Sequence, residues 1–90
     1  MTPELEPQAA EEAPQSEALT DYDLDHLVTY LRLLDAERDG ADWREATLAI
    51  LGRDPAAAPD LCRRCWETHL ARARWMTTTG YRRLLAAGGS

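Results

Sequence analysis

Residues 59–78 read PDLCRRCWETHLARARWMTT, and this stretch decides the fold. Cys62, Cys65, Trp66, His69, Ala73 and Met76 recur at three- and four-residue spacing, which places them on one face of a helix. Pro59 suits a first helical turn, where its missing N–H costs nothing. Gly80 ends the run, and Tyr81–Ala87 reads as a short terminal helix before Gly88 and Gly89. Upstream, Gly52 to Pro59 carries two prolines and three alanines and cannot continue a helix. Before it, Asp42 and Glu45 form a cap signature that opens a helix over Trp43–Leu51, closed by Gly52.

Farther out, Thr20 and Asp23 repeat the cap signature, and Leu24, Leu27, Val28, Leu31 and Leu34 follow as one apolar stripe expected to face the core. Gly40 stops that helix. No period-two stretch occurs. The expected fold is all-α with four helices.

Charge sets the domain organisation. Ten basic residues, all Arg, face sixteen acidic ones, for a formal net charge of −6 in 90 residues. Residues 1–25 hold eight acidic residues and no basic one. Residues 1–19 contain only Leu5 and Leu19 as sizeable hydrophobes and are expected to form a disordered acidic tail, leaving a helical domain over 20–88. No apolar run reaches the roughly 18 residues of a membrane span, and the N-terminus lacks the basic flank and apolar stretch of a signal peptide. A cytoplasmic location without membrane contact is therefore expected, and two cysteines without an export signal imply reduced thiols.

Cys62, Cys65, His69 and His26 could supply zinc ligands. Zinc sites hold a Cys-x-x-Cys pair in a tight turn, however, whereas this pair lies inside a helix on its apolar face, where cysteine acts as a small hydrophobe. No metal and no cofactor are expected. A redox Cys-x-x-Cys needs a βαβ context that is absent. Cys62, near a helix N-terminus and beside two Arg, is a reactive thiol only if exposed. Neither histidine has a nucleophile or acid partner at motif spacing, so no enzymatic activity is expected.

Arg63, Arg64, Arg72 and Arg74 suggest a recognition helix with phosphate contacts, with Arg63, Arg64 and Arg74 the candidate DNA-binding residues. The competing reading is a solvated face with intrahelical pairs such as Arg63–Glu67. The acidic tail and the absence of Lys weigh against autonomous DNA binding. Tyr30 and Leu33 fall at the edge of the first helix's stripe and opposite to it, and Trp75 points away from the stripe of the long helix. With Glu37 they form a candidate protein-binding surface.

From His26 to Leu85, the strings Leu31–Asp35, Gly40–Ala46, Ile50–Pro55, Cys65–Met76 and Gly80–Leu85 resemble a proteobacterial family of domains shared by QseM, the C-terminal domain of FseA, and RovC. The Trp66-x-x-His69-Leu-Ala-Arg-Ala-Arg-Trp-Met76…Gly80-Tyr-Arg-x-Leu-Leu85 core is the specific part. The resemblance implies a helix-turn-helix variant whose extended turn is Gly52–Asp60. It implies one of two roles in regulating conjugative-element transfer or secretion genes: DNA-binding part of an activator, or stand-alone antiactivator. Activators join the domain to an N-terminal module, and an acidic copy with only a short tail there is similar to the antiactivator branch. The implied partners are the N-terminal module of an FseA-like activator and a LuxR-family quorum-sensing regulator. Three readings stand open: antiactivator, DNA-binding module and zinc protein.

Overall fold

A computed structural model describes residues 9–80 and Arg82. Its described residues are helical without a strand. The helices are α1 (Asp21–Asp25), α2 (Leu27–Arg38), α3 (Trp43–Ala46, continued by a π-helical turn over Thr47–Leu51) and α4 (Pro59–Trp75, continued by a π-helical turn over Met76–Gly80). The all-α, four-helix expectation holds, although the helices are divided differently. The terminal helix expected over Tyr81–Ala87 lies, apart from Arg82, outside the described residues, as do residues 1–8.

Local chemistry explains the boundaries. Thr20 caps α1 as expected: its hydroxyl accepts from the Asp23 N–H while the Asp23 carboxylate accepts from the Thr20 N–H, a reciprocal capping box. Asp42 caps α3 by accepting from the Arg44 N–H at 3.1 Å. Gly40 and Gly52 close α2 and the α3 unit in left-handed conformations, φ 73° and 70°, which a side chain would resist. Each π-helical turn contains a threonine that hydrogen-bonds backward. The Thr47 hydroxyl donates to Trp43 O at 2.6 Å, and the Thr77 hydroxyl to Arg74 O at 2.7 Å. Such back-bonding competes with the i−4 ladder, consistent with the wider turn there.

The core lies where α2, the α3 unit and α4 meet, around Tyr30, Leu33, Ala46, Leu51, Cys65, Trp66, Leu70, Ala73 and Met76. All six residues of the α4 stripe read from the sequence are buried. The stripe on the first helix requires correction. The helix breaks at His26, and the buried positions are Asp23, His26, Tyr30 and Leu33, whereas Leu24, Val28 and Leu31 are 44%, 57% and 61% exposed. Tyr30 and Leu33, expected on a partner-binding surface, sit inside at 2% and 0% exposure. The physical reason is a polar demand. Asp23 and Tyr30 must face α4 to meet Arg72, and the 23–26–30–33 spacing carries His26 and Leu33 inward with them.

Residues 9–19 carry no regular secondary structure, yet they are held by contacts that composition does not reveal. The Arg53 guanidinium donates to Ala9 O at 2.8 Å, the Ala13 N–H to the Thr68 hydroxyl at 3.1 Å, and Arg72 to Ser16 O and Ala18 O. Ala9 and Ala13 are buried. The segment therefore forms a strap running along α4 in the same direction. Its polar backbone is matched by side chains of the domain, while Ala9 and Leu19 join the edge of the core.

Candidate nucleic-acid and protein interface

The α3 unit, the turn after Gly52 and α4 have the order of a helix-turn-helix, with α4 in the recognition position. Burial of the Cys62–Met76 stripe turns Asp60, Arg63, Arg64, Glu67, Ala71 and Arg74 outward. The three candidate DNA-binding cations on this helix, Arg63, Arg64 and Arg74, are exposed and paired. Arg63 Nε lies 2.8 Å from Glu67 Oε1, Arg64 Nε lies 3.6 Å from Glu12 Oε1 on the strap, and Arg74 pairs with Glu37 on α2. Trp43 adds a face for the Arg63 guanidinium, 5.0 Å from its ring centroid. Exposed pairs of this kind are worth about 0–1 kcal/mol each. They need not stabilise the fold to reshape its field, because each brings a carboxylate to the position a phosphate would take. The structure thus joins two residues that the sequence reading assigned to different surfaces, Arg74 and Glu37.

Arg72 is a different case. It counted as a surface cation in the sequence but is 5% exposed. Its Nε and Nη2 donate to the two Asp23 carboxylate oxygens at 2.9 and 2.6 Å, its remaining bonds reach Ser16 O and Ala18 O, and its guanidinium stacks 3.9 Å from the Trp75 ring centroid. Asp23 also accepts from the Tyr30 hydroxyl at 2.8 Å. Burial alone would raise the Asp23 carboxyl. The Arg72 fork, the Thr20 N–H and hydroxyl, and the Tyr30 hydroxyl outweigh it and hold the group at about 2. One bidentate pair thereby fastens α1, α4 and the strap together. Trp75, expected as a free contact residue, is half-buried and engaged by Arg72.

A second polar chain runs beside it. The Ala10 N–H donates to the Tyr22 hydroxyl at 2.9 Å, and His69 Nδ1 lies 2.7 Å from Cys65 O. Nδ1 must therefore carry a proton, which leaves Nε2 to accept from the Tyr22 hydroxyl at 2.5 Å. Burial lowers the His69 pKa, keeping the ring neutral. Burial likewise pushes the Cys65 thiol up to about 11, far from a reactive thiolate. Cys62 and Cys65 are both buried and free. Among the described residues no group of three or more His, Cys, Asp or Glu side chains is arranged to hold a metal ion.

On the opposite side of α2, the displaced stripe leaves Leu24, Val28 and Leu31 at the surface beside a groove of about 210 Å³ between α2 and the end of α4. Sequence reasoning missed this surface because it assigned those three residues to the core. The available signal was the polar series Asp23, His26, Tyr30 on the neighbouring stripe, with Arg72 as its only buried-cation partner on α4. No helix among the described residues is long and apolar enough to cross a membrane.

The family model described as "T6SS, Transcription factor, DNA binding domain", of the RovC type, matches residues 2–86 of the chain. No curated protein matches it.

Proposed function

The chain belongs to this RovC-type family of transcription-factor DNA-binding domains, and on that premise we propose that it is a non-catalytic, cytoplasmic regulator of transcription that acts by binding proteins rather than DNA. The observation that carries this reading is the internal neutralisation of α4. Arg63, Arg64 and Arg74 face Glu67, Glu12 and Glu37, and Arg72 is buried against Asp23. A DNA-binding surface gains its affinity by exchanging counterions for phosphates. Here the displaceable groups are carboxylates tethered to the same chain, so docking on DNA would have to break three exposed ion pairs in an overall field of charge −6.

The antiactivator role implied by the family resemblance fits this electrostatic picture. A copy that keeps the domain's packing surfaces while masking its cations can occupy an FseA-like activator, through that protein's N-terminal module, and a LuxR-family quorum-sensing regulator. Either capture would silence conjugative-element transfer genes. A detached competitor must overcome the effective concentration of the activator's own domain, about millimolar for a short linker.

The test is light-scattering chromatography of the full chain mixed with a purified FseA-like activator, followed by promoter binding of that mixture. A stoichiometric complex and loss of activator–promoter binding are expected. Undiminished promoter binding at a tenfold excess of this chain overturns the proposal. A second reading, direct DNA binding through α4, rests on the helix-turn-helix order of α3 and α4 and on the outward position of Arg64. It predicts affinity that falls steeply with salt and weakens in Arg64→Ala.

A further inference from the structure

We infer that the outer face of α1 and α2, formed by Leu24, Val28 and Leu31 with the adjoining groove, is the surface on which the chain receives an amphipathic helix carrying basic residues beside its apolar face. Three observations lead there. Leu24, Val28 and Leu31 follow at four- and three-residue spacing on one side, each 44% or more exposed, while Leu33 on the other side is fully buried. The groove beside them, about 210 Å³, is lined by Leu27, Tyr30, Leu31, Leu34, Ala73 and Met76, so large side chains of a partner would meet apolar atoms along it. From Leu27 to Leu34 it spans two helical turns, roughly 10 Å at 1.5 Å per residue, the length over which a docked helix places two or three anchors.

Charge identifies the occupant. The exposed flank of α1 and α2 carries Asp21, Asp25, Asp35 and Asp39 against Arg32 and Arg38, and Arg38 is already engaged by Asp35 at 3.2 Å and Asp39 at 3.6 Å. An apolar strip bordered by excess carboxylate favours a helix with cationic flanks and disfavours one with acidic flanks. This face is distinct from the masked outer side of α4, so a partner seated here leaves Arg64 and Glu12 as they are. The inference rests on the proposed function only for identifying that helix with part of an activator. The surface and its chemistry stand on the geometry.

The experiment uses the isotope-labelled full chain, a purified FseA-like activator and two synthetic 15-residue peptides, one a Leu/Arg amphipathic helix and the other its Leu/Glu counterpart. Activator binding is expected to weaken at least tenfold in the Val28→Glu, Leu31→Glu double variant and to stay unchanged in Leu48→Ser, which removes an exposed leucine outside this surface. Circular dichroism checks that the variant folds, with Val28→Ser, Leu31→Ser replacing it if it does not. Equal binding by the double variant overturns the surface and leaves the proposed function standing. If the activator does not bind the wild-type chain, the proposed function fails and the peptides decide the surface. Amide shifts at Leu24, Val28 and Leu31 with the Leu/Arg peptide and not the Leu/Glu peptide uphold it, and their absence overturns it. Concentration-dependent dimerisation abolished by the double variant would make a second copy the occupant and overturn the inference as well.

Discussion

Replacing Asp23 by Asn removes the charge from the pair that fastens α1, α4 and the strap, and its cost follows from the geometry. Asp23 is fully buried, and its carboxylate accepts from Arg72, Tyr30 and Thr20. Its folded-state pKa is about 2 against 3.8 for a free carboxyl. At 1.36 kcal/mol per pKa unit, ionisation stabilises the fold by about 2–3 kcal/mol at neutral pH. Leaving Arg72 buried without its counter-charge raises the expected loss to about 3–5 kcal/mol. A domain of some seventy residues has roughly 4–10 kcal/mol in all, so Asp23→Asn should be marginally folded at low temperature and unfolded when warmed. Because the folded pKa is depressed, this contribution is present above pH 3.8 and lost as pH falls toward 2. The wild type should weaken over that window and the variant should lack that slope. Urea unfolding of wild type, Asp23→Asn, Arg72→Met and the double variant, at pH 7 and at pH 3, measures the effect. The double variant should lose less than the two single losses added together, because no lone buried charge remains. Single losses below 1 kcal/mol that add simply would refute the clamp.

Three further predictions follow from burial and protonation. Leu33→Ala should cost about 2–4 kcal/mol in denaturant unfolding, whereas Leu31→Ala should stay within about 0.5 kcal/mol, since only Leu33 is buried; the reverse order would restore the stripe read from the sequence. His69 has a lowered pKa in the fold, so the unfolded chain binds the extra proton first. Stability should therefore decline as pH falls below about 6.5, and His69→Gln should flatten that part of a pH–stability profile. Cys62 and Cys65 should resist an aromatic disulfide reagent at pH 8 until denaturant is added, and a chelator should leave the helical circular dichroism unchanged.

The long helix was legible because its burial follows apolar spacing alone: Cys62, Cys65, Trp66, His69, Ala73 and Met76 lie inside as read. The caps at Thr20 and Asp42 and the stops at Gly40 and Gly52 were legible because each depends on the chemistry of one or two nearby residues. The first helix was misread because its orientation is set by a partner 49 residues away. Counting apolar residues favoured Leu24, Val28 and Leu31, but the free energy of burying Arg72 with Asp23 and Tyr30 selected the adjacent stripe. The same distant bond hid the strap. Residues 9–19 have a composition that cannot form a core, yet Arg53, Thr68 and Arg72 satisfy their backbone. For the candidate site, Arg63–Glu67 could be read from i, i+4 spacing, while Arg64–Glu12 and Arg74–Glu37 depend on the tertiary fold.

Because the strap is part of the packed domain, cutting the chain after residue 19 would disturb the fold as well as the charge, so the direct test leaves the backbone intact. Fluorescence anisotropy of a promoter duplex should be measured at low and rising salt with the wild type and with Glu12→Gln, Glu37→Gln, Glu67→Gln. The account predicts no saturable binding by the wild type even at low salt, and measurable, salt-sensitive binding once the three carboxylates no longer mask Arg64, Arg74 and Arg63. Tight wild-type binding that weakens with salt and in Arg64→Ala would contradict it and make α4 a DNA-reading helix.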